Sequence, residues 1–276
     1  MASEFPVPPF LYGTAWKEER TAALTEQALR AGFRGIDTAN QRRHYLEQGV
    51  GEGLAAAYRA GIVTRADLFL QTKFTYQRGQ DHRLPYDPSA ALAVQVSQSL
   101  ASSLEHLCTD HVDSFVLHGP SSGHGWGEAD AEVWEAMRNE RNAARTRLLG
   151  VSNVSLQHLE EMEAAGTELP SFVQNRCFAR LGWDRDVRQF CTERKITYQG
   201  FSLLTANQEV LQLKPFIALA AQLDVTPAQV IFSFARSIGM LPLTGTSSEE
   251  HMRQDLASLS LILPDSIVEV IESIAG

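Results

Sequence analysis

Three ionisable side chains stand just past short apolar runs. Asp37 follows Phe33–Ile36, Lys73 follows Leu68–Thr72, and His118 follows Val112–Leu117. An acid, an ammonium and an imidazole are the groups that move protons and meet developing charge. Each has an ordinary explanation when taken alone. Asp37 could cap the amides of a turn, Lys73 could be a rim charge paired with an acid, and His118 could be a satisfied structural histidine. Three such groups on consecutive strand ends leave little room for three separate structural roles. A tyrosine, Tyr45, closes the turn that begins at Asp37.

Several chemistries lack their residues. There is no H-x-H pair on the first strand and no H-E-x-x-H, so a metal-dependent barrel hydrolase has no ligands and no metal is expected. No G-x-S-x-G offers a serine nucleophile. Asp37 is the one carboxylate among the strand ends, whereas glycoside hydrolysis uses a pair.

The elements that position these groups alternate along the whole chain. Strand-like runs are read at Phe10–Gly13, Phe33–Thr38, Leu68–Lys73, Val112–Leu117, Arg147–Ser152, Ser171–Gln174, Ile196–Phe201 and Met240–Thr244. Each is followed by a helical pattern. Examples are Leu24, Ala28 and Ala31 ending at Gly32, a helix opened by Asp87-Pro88, and a capping box at Ser247–Glu250. Eight strand–helix units without a linker predict one (β/α)8 TIM barrel spanning residues 1–276. A doubly wound nucleotide fold is disfavoured, because no G-x-G-x-x-G follows the first strand and no P-loop occurs. Gly49, Gly51 and Gly53 fall within a helix and read as close helix packing.

The composition agrees with an ordinary globular enzyme. The chain has 276 residues, 44% hydrophobic and 21% charged, with net charge −9 and pI near 5.4. That balance argues against a general nucleic-acid or anionic-membrane binder. No apolar run is long enough for a bilayer span and no signal peptide is read, so a cytoplasmic, soluble enzyme is expected. The three cysteines are expected to be reduced and mostly buried.

In this order, the motifs resemble the aldo-keto reductase family over nearly the whole chain. They are Gly13-Thr-Ala-Trp16, Ala31-Gly-Phe-Arg-Gly-Ile-Asp37-Thr-Ala39, Thr72-Lys73, Leu117-His118-Gly-Pro120, Leu149-Gly-Val-Ser-Asn153, Val173-Gln174 and Gly200-Phe-Ser-Leu-Leu204. The resemblance implies the same barrel, a monomer, and NAD(P)H-dependent reduction of an aldehyde or ketone. It makes Asp37, Tyr45, Lys73 and His118 a catalytic tetrad. Lys73, held by Asp37, would lower the pKa of the Tyr45 phenol, which would then protonate the carbonyl oxygen while His118 orients it.

For the cofactor, the resemblance implies Thr14, Ala15 and Asp37, with Ser152, Asn153 and Gln174 at the nicotinamide carboxamide. Phe201 would stack on the ring in place of a usual tyrosine, and Ser202 and Leu204 would hold the pyrophosphate. Gly245, Thr246, Ser247, His251 and Asp255 would lie at the adenosine side. The family's lysine and arginine for the 2′-phosphate are Gly245 and His251 here, so NADPH is expected with NADH as contender. Trp16, Phe74, Tyr76 and Trp126 are the expected walls for a small carbonyl substrate. Gly119 in place of a usual tryptophan and a short C-terminal segment imply an open site. Two other readings stay open: a cofactor-binding regulatory subunit, and a non-redox enzyme on this fold. The Asp37-to-Tyr45 turn is longer than the family pattern, so the extra residues either bulge outward or displace the tyrosine.

Overall fold

The computed structural model describes residues 7–274. Eight parallel strands close on themselves in sequence order: β1 Leu11–Gly13, β2 Gly35–Asp37, β3 Phe69–Phe74, β4 Val112–Leu117, β5 Thr146–Ser152, β6 Phe172–Arg176, β7 Thr197–Phe201 and β8 Met240–Thr244. The fold is the expected (β/α)8 barrel, with helices packed around it.

Side-chain alternation along each strand sorts residues between the barrel interior and the helical shell. On β3, Phe69, Gln71 and Lys73 share the interior parity, while Leu70, Thr72 and Phe74 face the helices. At the bottom of the barrel Leu11, Phe69, Phe172 and Leu241 form a closed apolar cluster. One layer higher the interior turns polar, with Asp37, Gln71, Gln174 and Gln199 all buried. Close strand approach also needs a small residue on β5. A Cβ on Gly150 would lie 3.0 Å from Val116 and 3.1 Å from the Phe172 Cβ.

The helix Glu47–Arg59 carries the three glycines read as packing residues. A Cβ on Gly51 would overlap the carbonyl oxygen of His106, and one on Gly53 would lie 2.5 Å from the Ala22 carbonyl oxygen. Their reason is therefore helix contact. Two helix starts differ from the sequence reading. The third long helix begins at Leu92, because the Asp87 carboxylate accepts from the Ser89 amide at 2.9 Å and hydroxyl at 2.7 Å. This local turn competes with a helical start. At the other end, the cap of Glu249–Ala257 is Ser248, whose hydroxyl accepts from the His251 amide. Cys177 and Cys191 are buried and Cys108 is exposed, all three free. Among the described residues no single helix is long and apolar enough to cross a membrane.

Candidate active site

The polar layer supports the base of the site. Register places Asp37 beside Gln71 and Gln174 beside Gln199. The Asp37 Oδ1 accepts from Gln71 Nε2 at 2.7 Å and from Gln174 Nε2 at 3.0 Å, and both amides also donate to Gln199 Oε1 at 2.8 Å. Above it, Lys73 Nζ donates to both Asp37 oxygens at 2.7 Å and to the Thr38 carbonyl at 2.8 Å. Lys73 is wholly buried. Burial lowers its pKa, and the Asp37 carboxylate acts in the opposite direction.

The long turn after β2 bulges outward. Gln41 starts a helical turn in which its carbonyl accepts from the amides of His44 at 3.1 Å and Tyr45 at 3.0 Å. Gln41 Nε2 ties that turn to the Gly79 carbonyl at 2.7 Å, leaving Arg43 exposed. As a result the Tyr45 ring stays over the strand ends. Its centroid is 5.4 Å from Lys73 Nζ and 5.9 Å from the His118 ring, which it meets edge-on at 70°. The Tyr45 hydroxyl has no protein hydrogen bond among the described residues. Burial and the Asp37 charge push its pKa well above the ordinary phenol value. That direction is opposite to the expected lowering, and it keeps the phenol protonated.

His118 is bonded by Thr75, whose Oγ lies 2.7 Å from Nδ1. Burial, then the neighbouring Lys73 charge, bring the imidazole pKa down to about 3. The ring is therefore neutral across the ordinary pH range. With Thr75 as donor to Nδ1, the remaining ring hydrogen sits on Nε2 and can be given to a substrate oxygen. A cleft of about 250 Å³ opens in front of this ring, with His44, Tyr76, Arg78, Gly119 and Asn153 on its walls.

The other expected site residues divide between mouth and shell. Asn153 borders the cleft in left-handed backbone conformation (φ 56°), and its Nδ2 donates to the His118 carbonyl at 2.7 Å. Ser152 Oγ is turned to the Gln174 carbonyl at 2.7 Å, so Ser152 and Gln174 spend their hydrogens inside the protein. Thr14 is buried and bonds the Asp37 carbonyl through its hydroxyl at 3.0 Å. Ala15, Phe201, Ser202, Leu204 and Thr246 are half-buried, while Gly245, Ser247 and His251 are exposed. Asp255 lies elsewhere. Thr244 has helix-facing parity, and its hydroxyl donates to Asp255 Oδ2 at 2.8 Å in the layer between barrel and helices. There burial raises the Asp255 pKa to about 6.

Among the expected walls, Tyr76 lines the cleft. Trp16 is exposed and stacks on His44 with centroids 4.0 Å apart. Phe74 is fully buried with Tyr76 and Tyr86, as its outward parity requires. Trp126 packs edge-on against Trp134 at 6.2 Å and does not border the cleft.

Sequence reading passed over Gln71, Gln199, Thr75, His44 and Lys17. The two glutamines carried a usable signal, since each interrupts an apolar strand at interior parity. Lys17 carried none. It is 8% exposed, has no carboxylate partner among the described residues, and donates to the Gly245 carbonyl. A buried ammonium facing the loop before a helix N-terminus, with no countercharge, suits an anionic group.

The sequence model of the Aldo/keto reductase family matches residues 11–275. An uncharacterised oxidoreductase of Schizosaccharomyces pombe is 28% identical over 251 residues, 91% of this chain and 81% of its own length. The prostaglandin-E(2) 9-reductase of Oryctolagus cuniculus is 26% identical over 301 residues, 97% of this chain and 88% of its own. Among solved structures, an aldo-keto reductase of the silkworm Bombyx mori complexed with NADPH superposes with a TM-score of 0.82 at 21% identity, covering 96% of this chain and 84% of that one.

Proposed function

The chain belongs to the aldo/keto reductase family, and from that membership we propose that it reduces a small aldehyde or ketone with a nicotinamide cofactor, NADPH before NADH. The observation that carries this reading is the Tyr45 ring lying against both the Lys73 ammonium and the His118 imidazole, the latter on the wall of the cleft. When bound, the reduced nicotinamide supplies a hydride to the carbonyl carbon.

The protein's own groups would serve the oxygen. His118 Nε2–H orients it and shares its growing negative charge. Tyr45 gives its hydroxyl proton to that oxygen, and the adjacent Lys73 ammonium stabilises the phenolate left behind. Asp37 fixes the ammonium and does not touch substrate. The raised phenol pKa favours a protonated acid at rest, with the ammonium acting as charge develops.

The groups at the strand ends fit a dinucleotide. Asn153 presents its amide oxygen at the cleft, since its Nδ2 donates to the His118 carbonyl and to Ser152 Oγ. Phe201 offers a half-buried ring face, and Lys17 a buried cation beside the Gly245–Ser247 loop. Arg253, which stands near the place of the usual phosphate-binding arginine, is already paired with Glu249. Lys17 would therefore carry most of the charge facing a cofactor phosphate. Lys17→Met is expected to weaken NADPH binding by about tenfold or more, in keeping with loss of a charge-assisted hydrogen bond. Fluorescence titration of both proteins with NADPH and NADH measures it; equal affinities for the variant and the wild type would remove Lys17 from the cofactor site.

Thr75 is a positioning residue in this scheme. Thr75→Val keeps the shape but frees Nδ1, so the hydrogen can move there from Nε2. A fall in kcat of about 10–100-fold with unchanged NADPH affinity is expected, as for partners that set a histidine tautomer elsewhere. Thr75→Ser should restore most of it. The whole reading is tested by following reduced-nicotinamide absorbance across a carbonyl panel. Absence of turnover with every aldehyde and ketone would overturn it.

A further inference from the structure

The cleft in front of His118 has an electrostatic character that the protein as a whole lacks. The chain carries a net charge of −9, yet no aspartate or glutamate lines the cleft. Carboxylates around it are engaged. Asp37 is held by Lys73, Asp81 by Arg83, and Asp130 by Tyr76 and Ser121. Burial brings the His118 pKa down to about 3 and lowers that of His44, which favours the uncharged imidazole at both. Arg78 is then the one formal charge on the wall.

Arg78 is exposed and has no carboxylate partner among the described residues. One guanidinium nitrogen, Nη2, donates to the Pro120 carbonyl, which holds the group against the loop after β4. The hydrogens on Nε and Nη1 have no protein acceptor there. Pro120 is two residues beyond His118, a span of at most about 7 Å of extended chain. A cation with free donors thus lines the same cleft as the group that would orient the reacting carbonyl. The cleft, at about 250 Å³, is below the ~300–1,000 Å³ that takes drug-sized ligands, so a compact molecule is favoured.

We propose that Arg78 is a specificity-determining residue that makes short-chain oxo acids, carbonyl compounds bearing a carboxylate a few bonds from the carbonyl, the preferred substrates. The inference rests on the carbonyl-reductase reading and adds the substrate class. Guanidinium donors suit a carboxylate, and the neighbouring acids are already engaged by other partners. Gln41, His44 and Asn153 supply uncharged walls that do not compete for it.

The test compares pyruvate with methyl pyruvate, and levulinate with methyl levulinate, in wild type, Arg78→Met and Arg78→Lys. Each acid and ester share a carbon skeleton, and comparing the acid-to-ester ratio of kcat/KM between proteins cancels their intrinsic reactivity. For at least one chain length that ratio should fall tenfold or more in Arg78→Met, through KM for the acid, with ester constants unchanged. Arg78→Lys should fall between. Ratios within twofold of wild type at both lengths would overturn the proposal, as would an equal loss on acids and esters. If no carbonyl compound at all is reduced, the function reading fails instead. The Arg78 assignment is then decided by calorimetric titration with pyruvate and levulinate, where absence of binding, or affinities unchanged in Arg78→Met, count against it.

Discussion

Tyr45→Phe is expected to lower kcat for carbonyl reduction by about 10²–10⁴-fold, the range associated with a positioned general acid, while leaving NADPH affinity within twofold. The substitution removes one oxygen and keeps the ring, so its 5.4 Å contact with Lys73 Nζ and edge-on contact with His118 survive. Among the described residues the hydroxyl has no protein partner to be orphaned, which separates a chemical role from a structural one. A rival donor exists at the same cleft, because His44 is the residue before Tyr45 and stacks on Trp16. If Tyr45→Phe turns over at wild-type rate and His44→Ala does not, the acid is His44. The pH profile supplies a second readout. The His118 pKa of about 3 means that its neutral form persists as pH falls from 8 to 5. The phenol, raised above its ordinary value, stays protonated as pH rises through the same interval. The reductive kcat should therefore be flat from pH 5 to 8. A loss centred near the ordinary histidine pKa, about 6.5, would show that a histidine titrates in the step.

Barrel architecture was legible because its two signals are local: apolar runs of strand length, and helical periodicity between them. Strand four and strand eight have the bounds read from sequence, and the remaining strands shift by one or two residues. The positions of Asp37, Lys73 and His118 followed, since strand ends in a closed barrel point to one mouth. What could not be read was how a turn of unusual length folds. The placement of Tyr45 depends on Gln41, whose carbonyl gathers two amides and whose side chain bonds Gly79 across the mouth. That is a tertiary tie with no pattern in sequence. Parity corrects two other expectations. Phe74 follows Lys73 and Asp255 bonds Thr244, so both belong to the helical shell rather than to the mouth. Strand alternation alone would have excluded Phe74. Lys17 and Arg78 were unreadable for a different reason: each matters through having no carboxylate partner among the described residues, and that is a property of the folded surroundings.

Lys73→Met is expected to cost both activity and about 3–5 kcal/mol of stability, because it leaves a buried Asp37 carboxylate without its cation. Gln71 and Gln174 each donate to Asp37 Oδ1, which softens the loss but does not replace a charge. Activity and stability can then be separated. In the double variant Asp37→Asn, Lys73→Met the buried site is neutral, and the asparagine oxygen still accepts from both glutamines. Most of the lost stability should return, since neutral replacements of buried ion pairs are often no less stable than the pair. Activity should not return, because nothing then meets the charge that develops on Tyr45. Denaturant midpoints and single-turnover rates on the wild type, Lys73→Met and the double variant give both quantities. Recovery of stability with activity still lost would assign the pair to chemistry. Recovery of both would make the Lys73–Asp37 pair a structural feature and move the source of Tyr45 acidity elsewhere. If neither recovers, the polar layer beneath requires the charged pair as a unit, and Gln199, which accepts from both glutamines, becomes the next residue to substitute.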